Sequence, residues 1–433
     1  MNPRELLIDS FRAALTAADP LYIVSPHLPK PPVKGKTIVV GAGKAAAAMA
    51  KAVEQHWPID APLEGIVITR YQHGYRGEAS LQRIRVVEAG HPIPDNTGTD
   101  AAHDILQLVK NATPDDLLLV LVSGGGSSLL SLPAGEISID DMQIVTANLL
   151  RSGAPIRDMN VVRKHLSAIQ GGQLAAACQA QVVSLIISDV TGDDPADIAS
   201  GPTVADPSTY DDALAVLNRY RITPPVSVAR HLSNGARGAI AETIKPGDVR
   251  LTRVENKVIA TAHQSLTMAA AYFQQRGITP VILGDSVTGE AREVAKVYGA
   301  LVRQIRIHHH PIKPPLVLIS GGECTVTMAN GDGISKSRGG RCTEFLLSLA
   351  IDLAGLADVH AIACDTDGID GSEDNAGALM LDTTMARATK MTLNPQAILN
   401  ANSAYDFFAA LDDLVITGPT RTNVNDYRAI LVL

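Results

Sequence analysis

Aromatic residues make up only 3% of this 433-residue chain, with a single tryptophan, so its cores must be built from Ala, Val, Leu and Ile. That composition suits helices packed on sheets better than an aromatic-rich β-sandwich. Cysteine is equally scarce. Cys178, Cys324, Cys342 and Cys364 are scattered and contain no C-x-x-C pair, which indicates neither a disulfide framework nor a zinc site. No apolar run approaches the roughly 18 residues needed to span a bilayer. The opening MNPRELLIDSFRAAL mixes charges with apolar residues at helical spacing, where a signal peptide has an unbroken apolar core. A basic excess is missing too, and a net charge of −8 argues against a surface that tracks a phosphate backbone. These absences point to a globular, cytoplasmic protein with reduced thiols that binds neither membrane nor nucleic acid. Any polyanion contact must be local.

What is present is a repeated α/β pattern. The length exceeds what one core usually supports, and two domains are expected. From residue 36 to 130 short apolar runs (TIVV, GIVIT, IRVVEA, LLLVLV) alternate with helical patterns at Ala45 to Val53 and Ala101 to Val109, and VVSLIIS continues the series. Such alternation reads as a parallel sheet covered by helices. Between Ser208 and Gly247 the runs shorten and Pro and Gly accumulate, which predicts a boundary near residues 235 to 245. The expected domains are therefore 1–240 and 241–433, with the last strand free to return to the first. The second half repeats the pattern with KVIAT, TPVILG, PLVLIS, VHAIAC and YRAILVL, and with a helix at Thr343 to Leu353. HHH at 308–310, followed by PIKPP, reads as an exposed loop.

The turn after the first strand, VVGAGKAAA, resembles halves of two phosphate-binding motifs. Gly41, Gly43 and Ala46 fit G-x-G-x-x-A, yet GIVIT runs into Arg70 where a dinucleotide site needs an acidic residue. Lys44 is followed by Ala45 rather than a hydroxyl, and Ile38 stands where a P-loop has its first glycine. What survives is a glycine turn with bare N–H groups, a helix start and Lys44 beside it, an arrangement that attracts anions.

Other candidates follow strands. In SGGGSS, Ser123 and Gly124, Gly125 and Gly126 with Ser127 and Ser128 let a backbone approach a phosphate or carboxylate while hydroxyls donate. LVLVSGGGSSL and LVLISGGECTV are alike, each an apolar strand ending in Ser-Gly-Gly. In SDVTGDDPADIASGP, Asp189 lies just past a strand, where a carboxylate holds magnesium or accepts a proton; Asp194 and Asp197 read as turn residues. The second half adds Glu323 in SGGECTV, Arg341 in GGRCTEF, and Asp365 and Asp367 in CDTDGIDGSEDNAGA. A lysine and an arginine from different segments form a clamp suited to a transferring phosphoryl group.

Taken in order, VVGAGKAA, GHPIPD, LVSGGGSSLL, NVVRKHLSAIQGG, SDVTGDDPADIASGPTVADP, LISGGE, GGRCTEF, TDGIDGSEDNAGA and TGPTRTNVNDY resemble the glycerate 2-kinase family, whose C-terminal part is called the MOFRL domain. The resemblance covers nearly the whole chain. It implies a larger N-terminal Rossmann-like α/β domain with helices on both faces of its sheet, a C-terminal MOFRL-type α/β domain, and an active site in the cleft between them. It also implies ATP-dependent phosphorylation of D-glycerate at its 2-hydroxyl with magnesium. The apolar helices are compatible with covering either sheets or partner subunits, so a homo-oligomer is one expectation. Lys44 and Arg341 correspond to the family's active-site lysine and arginine. Asp189 is expected as base or metal ligand, Asp193 and Asp365 as metal ligands, and Gly43, Ser123 to Ser128, Glu323 and Asn423 as substrate or nucleotide contacts. Two departures stand out: Cys342 and Thr343 where the family more often has Asn and Gln, and Arg421 where glycine is usual. Members also carry the label hydroxypyruvate reductase, an NAD(P)H-dependent activity that the G-x-G-x-x-A match supports locally.

Overall fold

The structure, a computed structural model, describes residues 2–77, 80–328 and 337–433. The chain divides into two units, Pro20–Ile259 and Met1–Asp19 with Ala260–Leu433. The first is built on β1 (Thr37–Ala42), β2 (Leu63–Arg70), β3 (Ile84–Ala89), β4 (Leu117–Val122), β5 (Gln181–Ile187) and β6 (Val254–Ala260), in the order β3-β2-β1-β4-β5-β6. β1 pairs in parallel with β2 and β4, β2 with β3, and β4 with β5. β1 and β4 are buried at every position, which explains why their sequences are unbroken apolar runs. The order reverses between β1 and β4, and in open α/β sheets such a reversal opens a crevice beyond the carboxyl ends of the two strands. GAGK and SGGGSS are the segments that follow them.

Four further helices of this unit, Ile139–Arg151, Ile156–Leu166, Tyr210–Arg219 and Val226–Ala236, share a separate core that includes Val145, Leu149, Val162, Leu166, Leu217 and Leu232. The first of them shows why the chain turns helical here. Ser138 caps it by accepting from the Asp141 N–H, Asp140 and Asp141 occupy its first turn, and Arg151 its last, each favourable to the helix dipole.

The second unit holds β7 (Thr279–Gly284), β8 (Leu316–Ser320), β9 (Val359–Asp365), β10 (Gly377–Met380), β11 (Leu414–Val415) and β12 (Asp426–Val432), ordered β11-β10-β9-β12-β8-β7. Only β7 and β8 run parallel; β12 is antiparallel to both β8 and β9, and β10 to β9 and β11. Strand periodicity splits the side chains between two cores. Val317, Ile319, Ile362, Ala429 and Leu431 pack with Leu7 and Phe11 of helix Pro3–Thr16 and with Leu266 and Phe273 of helix Ala262–Gln274. Leu316, Leu318, Ala361, Ala363 and Ile430 face helices Ala291–His308 and Arg341–Leu353.

Packing moves the expected division at residue 240. β6 lies beside β5 in the first sheet, so the first unit runs to Ile259. The opening helix belongs to the second unit because Leu7 and Phe11 are buried there. The last strand, β12, stays in the second sheet between β8 and β9. His308 closes helix Ala291–His308, and His309 caps it with φ 56°, so the histidine run is a helix end rather than a free loop, although all three are exposed.

The turns after β1 and β4 touch at Gly43. Its φ is 139°, and a Cβ there would lie 2.1 Å from Ser123 Oγ and 2.5 Å from the Ser123 carbonyl oxygen. Gly43→Ala is expected to destabilise the protein by about 2 kcal/mol or more, seen as a lower urea midpoint; an unchanged midpoint would mean that the turns are not locked together.

Candidate functional site

Residues at the strand ends of the first unit bond chiefly to one another. The Ser123 N–H donates to the Ala42 carbonyl at 3.2 Å, Lys44 N–H to Gly124 O at 2.8 Å, Gly43 N–H to Ile68 O at 3.1 Å, and Ala46 N–H to Gly43 O at 3.1 Å. Ala45 N–H donates to Ser123 Oγ at 3.0 Å. The sequence reading expects these donors to be bare for an anion; they instead lock the two turns. The backbone of the GAGK turn is therefore tied to its neighbours rather than bare. Gly125, with φ 80°, lies beside it: a Cβ there would be 3.4 Å from Lys44 Cγ and 3.0 Å from the His91 ring. His91, in the GHPIPD segment, is a neighbour that sequence reasoning did not single out.

The rest of SGGGSS is similarly anchored. Gly126 packs so closely on Ala199 that a Cβ would lie 2.5 Å from the Ala199 methyl. Ser128 Oγ donates to Gly125 O at 3.2 Å, and Ser127 Oγ lies 2.9 Å from Ser200 Oγ, itself 3.0 Å from Asn160 Oδ1. Asn160 Nδ2 donates to the Asp197 carbonyl at 3.0 Å. Ser200 and Asn160 are fully buried, so this chain fixes the loop from beneath. Among the acidic candidates, Asp189 is half-buried two residues beyond β5, and Asp193 has a left-handed φ of 54°. Asp194 accepts from Ala196 N–H at 2.9 Å as a turn aspartate should, and Asp197 pairs with Arg157 at 3.1 Å.

In the second unit Arg341, the first residue of its helix, sits in a cradle of carboxylates. Its Nη2 is 2.6 Å from Asp365 Oδ2, its Nε 2.8 Å from Asp426 Oδ1, and its Nη1 3.2 Å from Glu323 Oε1. Burial opposes the charge, but Asp426, Asp365 and Glu323 outweigh it and raise the guanidinium pKa well above its ordinary value. Asp426 also holds the fully buried Arg428 at 2.5 Å, and Arg428 Nη1 donates to Gly321 O at 3.1 Å. Asp365 and Asp426 are buried, whereas the Glu323 side chain is 59% exposed. Helix Arg341–Leu353 starts where it does because buried Asp370 accepts from the Cys342 and Thr343 N–H groups at 2.9 and 2.8 Å. Burial nevertheless raises the Asp370 pKa, and it pushes the Cys342 thiol well up, making that cysteine an inert core residue. Asn423 Oδ1 accepts from Asn425 N–H at 3.2 Å. Arg421 holds φ 59°, a left-handed conformation in which glycine fits without strain.

Beside Arg341 lies a cavity of about 410 Å³, lined among others by Gly339, Gly340, Glu344, Ser372 and Asn402. Glu344 is held at 2.6 Å by Arg292 and at 3.0 Å by Asn402, so it is a structural carboxylate. Among the described residues no group of three or more His, Cys, Asp or Glu is placed to hold a metal ion. Asp365 uses one oxygen on Arg341 and the other on the Asp367 N–H. The expected ligands Asp193 and Asp365 are not part of such a group. No helix among the described residues is long and apolar enough to cross a membrane.

A doubly wound sheet with polar loops at its reversal, joined in one chain to a mixed sheet that carries an arginine at its strand ends, defines a two-unit α/β protein. Comparisons narrow the class. Residues 6–233 match the family described as Domain of unknown function (DUF4147), and residues 316–426 match the MOFRL family. A glycerate 2-kinase from Pyrococcus horikoshii is 38% identical over 91% of this chain and 86% of its own. A crystal structure of a glycerate kinase from Thermotoga maritima superposes with a TM-score of 0.85 at 35% identity, covering 99% of each chain. A relative from Agrobacterium vitis, 48% identical over all of this chain and 95% of its own, is named a putative hydroxypyruvate reductase. The chain belongs to the glycerate kinase family that pairs DUF4147 with MOFRL.

Asp426 is the pivot of the arginine cradle. Asp426→Asn leaves the fully buried Arg428 without its carboxylate and takes one of three from the mostly buried Arg341, and is expected to cost about 3–5 kcal/mol, whereas Glu323→Gln, at an exposed pair, should cost less than about 1 kcal/mol. Chemical denaturation of both variants checks the contrast, and equal losses would refute it.

Proposed function

We propose that the protein transfers the γ-phosphoryl group of ATP to the 2-hydroxyl of D-glycerate, forming 2-phosphoglycerate and ADP. Family membership supports the substrate class. The observation that carries the reading is Lys44 standing beside Gly125 at the carboxyl ends of β1 and β4, a position at which open α/β sheets receive ligands.

Phosphoryl transfer asks little covalent chemistry of a protein and much positioning of charge. In this reading Lys44 neutralises phosphoryl oxygens, and the SGGGSS loop, Gly43 and Asn423 shape the surroundings of substrate or nucleotide. Arg341 is the cation that the second unit offers an anion. Asp365 and Asp426 hold its plane, while the exposed Glu323 is the partner most readily displaced by an incoming phosphate. Asp189 accepts the proton of the 2-hydroxyl. The aqueous hydroxyl is a poor nucleophile, so a positioned carboxylate accounts for part of the rate and the cations for more.

The second reading is NAD(P)H-dependent reduction of hydroxypyruvate. The strand order 3-2-1-4-5-6 found here is that of dinucleotide-binding sheets, and relatives bear that name. Two observations count against it. The N–H groups that would meet a pyrophosphate are bonded to Ile68, Gly124 and Ser123, and β2 ends in Arg70 rather than in an acid for the ribose hydroxyls.

Purified protein with D-glycerate and Mg-ATP should yield ADP and a phosphoglycerate that NMR identifies as the 2-isomer, with no oxidation of NADH or NADPH by hydroxypyruvate. Nicotinamide oxidation without ADP formation would overturn the kinase. Lys44→Ala should lower kcat by about 100-fold or more; near-normal turnover would remove Lys44 from the chemistry.

A further inference from the structure

One cation of the first unit has no role in that reading. Helix Ile156–Leu166 ends in three consecutive basic residues, Arg163, Lys164 and His165. The second and third have acidic partners: Lys164 Nζ is 3.5 Å from Asp206, and His165 Nε2 is 3.2 Å from Glu242. Arg163 makes no hydrogen bond and no ion pair among the described residues, and burial with no opposing carboxylate lowers its pKa to about 10. Its side chain is partly buried and keeps some solvent access.

Arg163 lines a small cavity with Ser127 and Ser128 of the SGGGSS loop, Gln170 and Pro94. Gln170 is pinned there, its Nε2 donating to Ser127 O at 2.8 Å and Leu130 O at 3.0 Å. The volume is about 20 Å³, which admits one small polar group and excludes a nucleotide base. Met142, Val145, Leu149, Val162 and Leu166 supply the remaining wall. A partly desolvated guanidinium beside an apolar wall gains when an anion meets it. The helix C-terminus gives it only modest compensation, which Lys164 and His165 already share.

We infer that Arg163 binds the carboxylate of the acceptor substrate, a small hydroxy acid, at the floor of the SGGGSS loop. This deepens the proposed function and rests on it for the identity of the acid, while the carboxylate site stands on Arg163 and its cavity. Arg163 selects for the acid over the corresponding neutral polyol and orients the hydroxyl-bearing carbon. It takes no part in moving the phosphoryl group.

The test uses the full chain, as wild type, Arg163→Gln and Arg163→Lys, in thermal unfolding with and without D-glycerate, inorganic phosphate and ATP, followed by steady-state kinetics. Removing an unpaired charge should leave the ligand-free Arg163→Gln protein at least as heat-stable as wild type. Its D-glycerate-induced rise in Tm should vanish, and its KM for D-glycerate should increase by about 30-fold or more, with the KM for ATP changed by less than about 3-fold. Arg163→Lys should recover part of the affinity. An unchanged response to D-glycerate in Arg163→Gln overturns the inference, as does a wild type that does not respond to D-glycerate at all. Protection by phosphate that Arg163→Gln abolishes, with D-glycerate binding intact, overturns the carboxylate assignment. A D-glycerate response that depends on Arg163 in a protein that forms no ADP supports the site and refutes the kinase reading.

Discussion

The carboxylate of Asp426, shared between Arg341 and Arg428, is the interaction on which the polar half of the second unit depends. Two guanidinium groups taken out of water need two carboxylates within hydrogen-bonding distance, and Asp426 and Asp365 meet that need. The mixed sheet brings them together. Asp426 is the first residue of β12 and Asp365 the last of β9, and because these strands are antiparallel the two are direct partners in the register. Were β12 parallel to β9, Asp426 would stand at the opposite edge of the sheet and Arg341 would lose the acceptor of its Nε. A well-packed apolar cluster would stabilise this region as well or better. An ionic cluster therefore points to a requirement other than stability, namely a guanidinium plane held in one orientation beside the cavity at Gly339 and Gly340.

The first unit solves the matching problem with sterics rather than charge. Gly41 and Gly43 let β1 and its turn approach β4 so closely that a Cβ on Gly41 would lie 2.0 Å from the Leu121 carbonyl oxygen. The same closeness brings the N–H groups of Lys44 and Ala45 to acceptors on Gly124 and Ser123. A strand order that elsewhere accompanies dinucleotide binding is thus combined with a first turn whose backbone is already satisfied. Strand order alone does not determine what a sheet binds.

Much of the fold was legible because buried parallel strands are continuous apolar runs, as β1 and β4 are in TIVV and LLLVLV; the partly exposed β3 and β7 still coincide with the short strand-like runs IRVVEA and TPVILG. β10 and β11 were not, being four and two residues long and defined by their neighbours more than by their own sequence. The boundary was displaced because the break after Ser208 marks a turn within the helical core, while β6 still had to complete the first sheet. Lys44 and Arg341 were visible from their motifs. Asp426 and Asp370 were not, although both lie in the recognised segments TGPTRTNVNDY and TDGIDGSEDNAGA, since their partners lie 85 and 28 residues away in sequence. The bare N–H groups expected at Gly43 were misread for the same reason, their acceptors being supplied by strands remote in sequence.

The arginines of the two units differ in how they meet an anion. Arg341 is paired with Asp365, Asp426 and Glu323, so in the proposed reading a phosphate would compete with Glu323 and exchange partners with little net change in local charge balance. Arg163 has no acidic partner among the described residues, so an anion bound there, as inferred above, would offset the partial desolvation of its guanidinium. The first arrangement favours positioning and ready release, which suits a group that is transferred and must leave. The second would favour retention and rejection of neutral molecules, because a ligand without the charge leaves the partly buried guanidinium without a counter-charge. A transferred phosphoryl group and a permanent carboxylate make these two different demands on a protein.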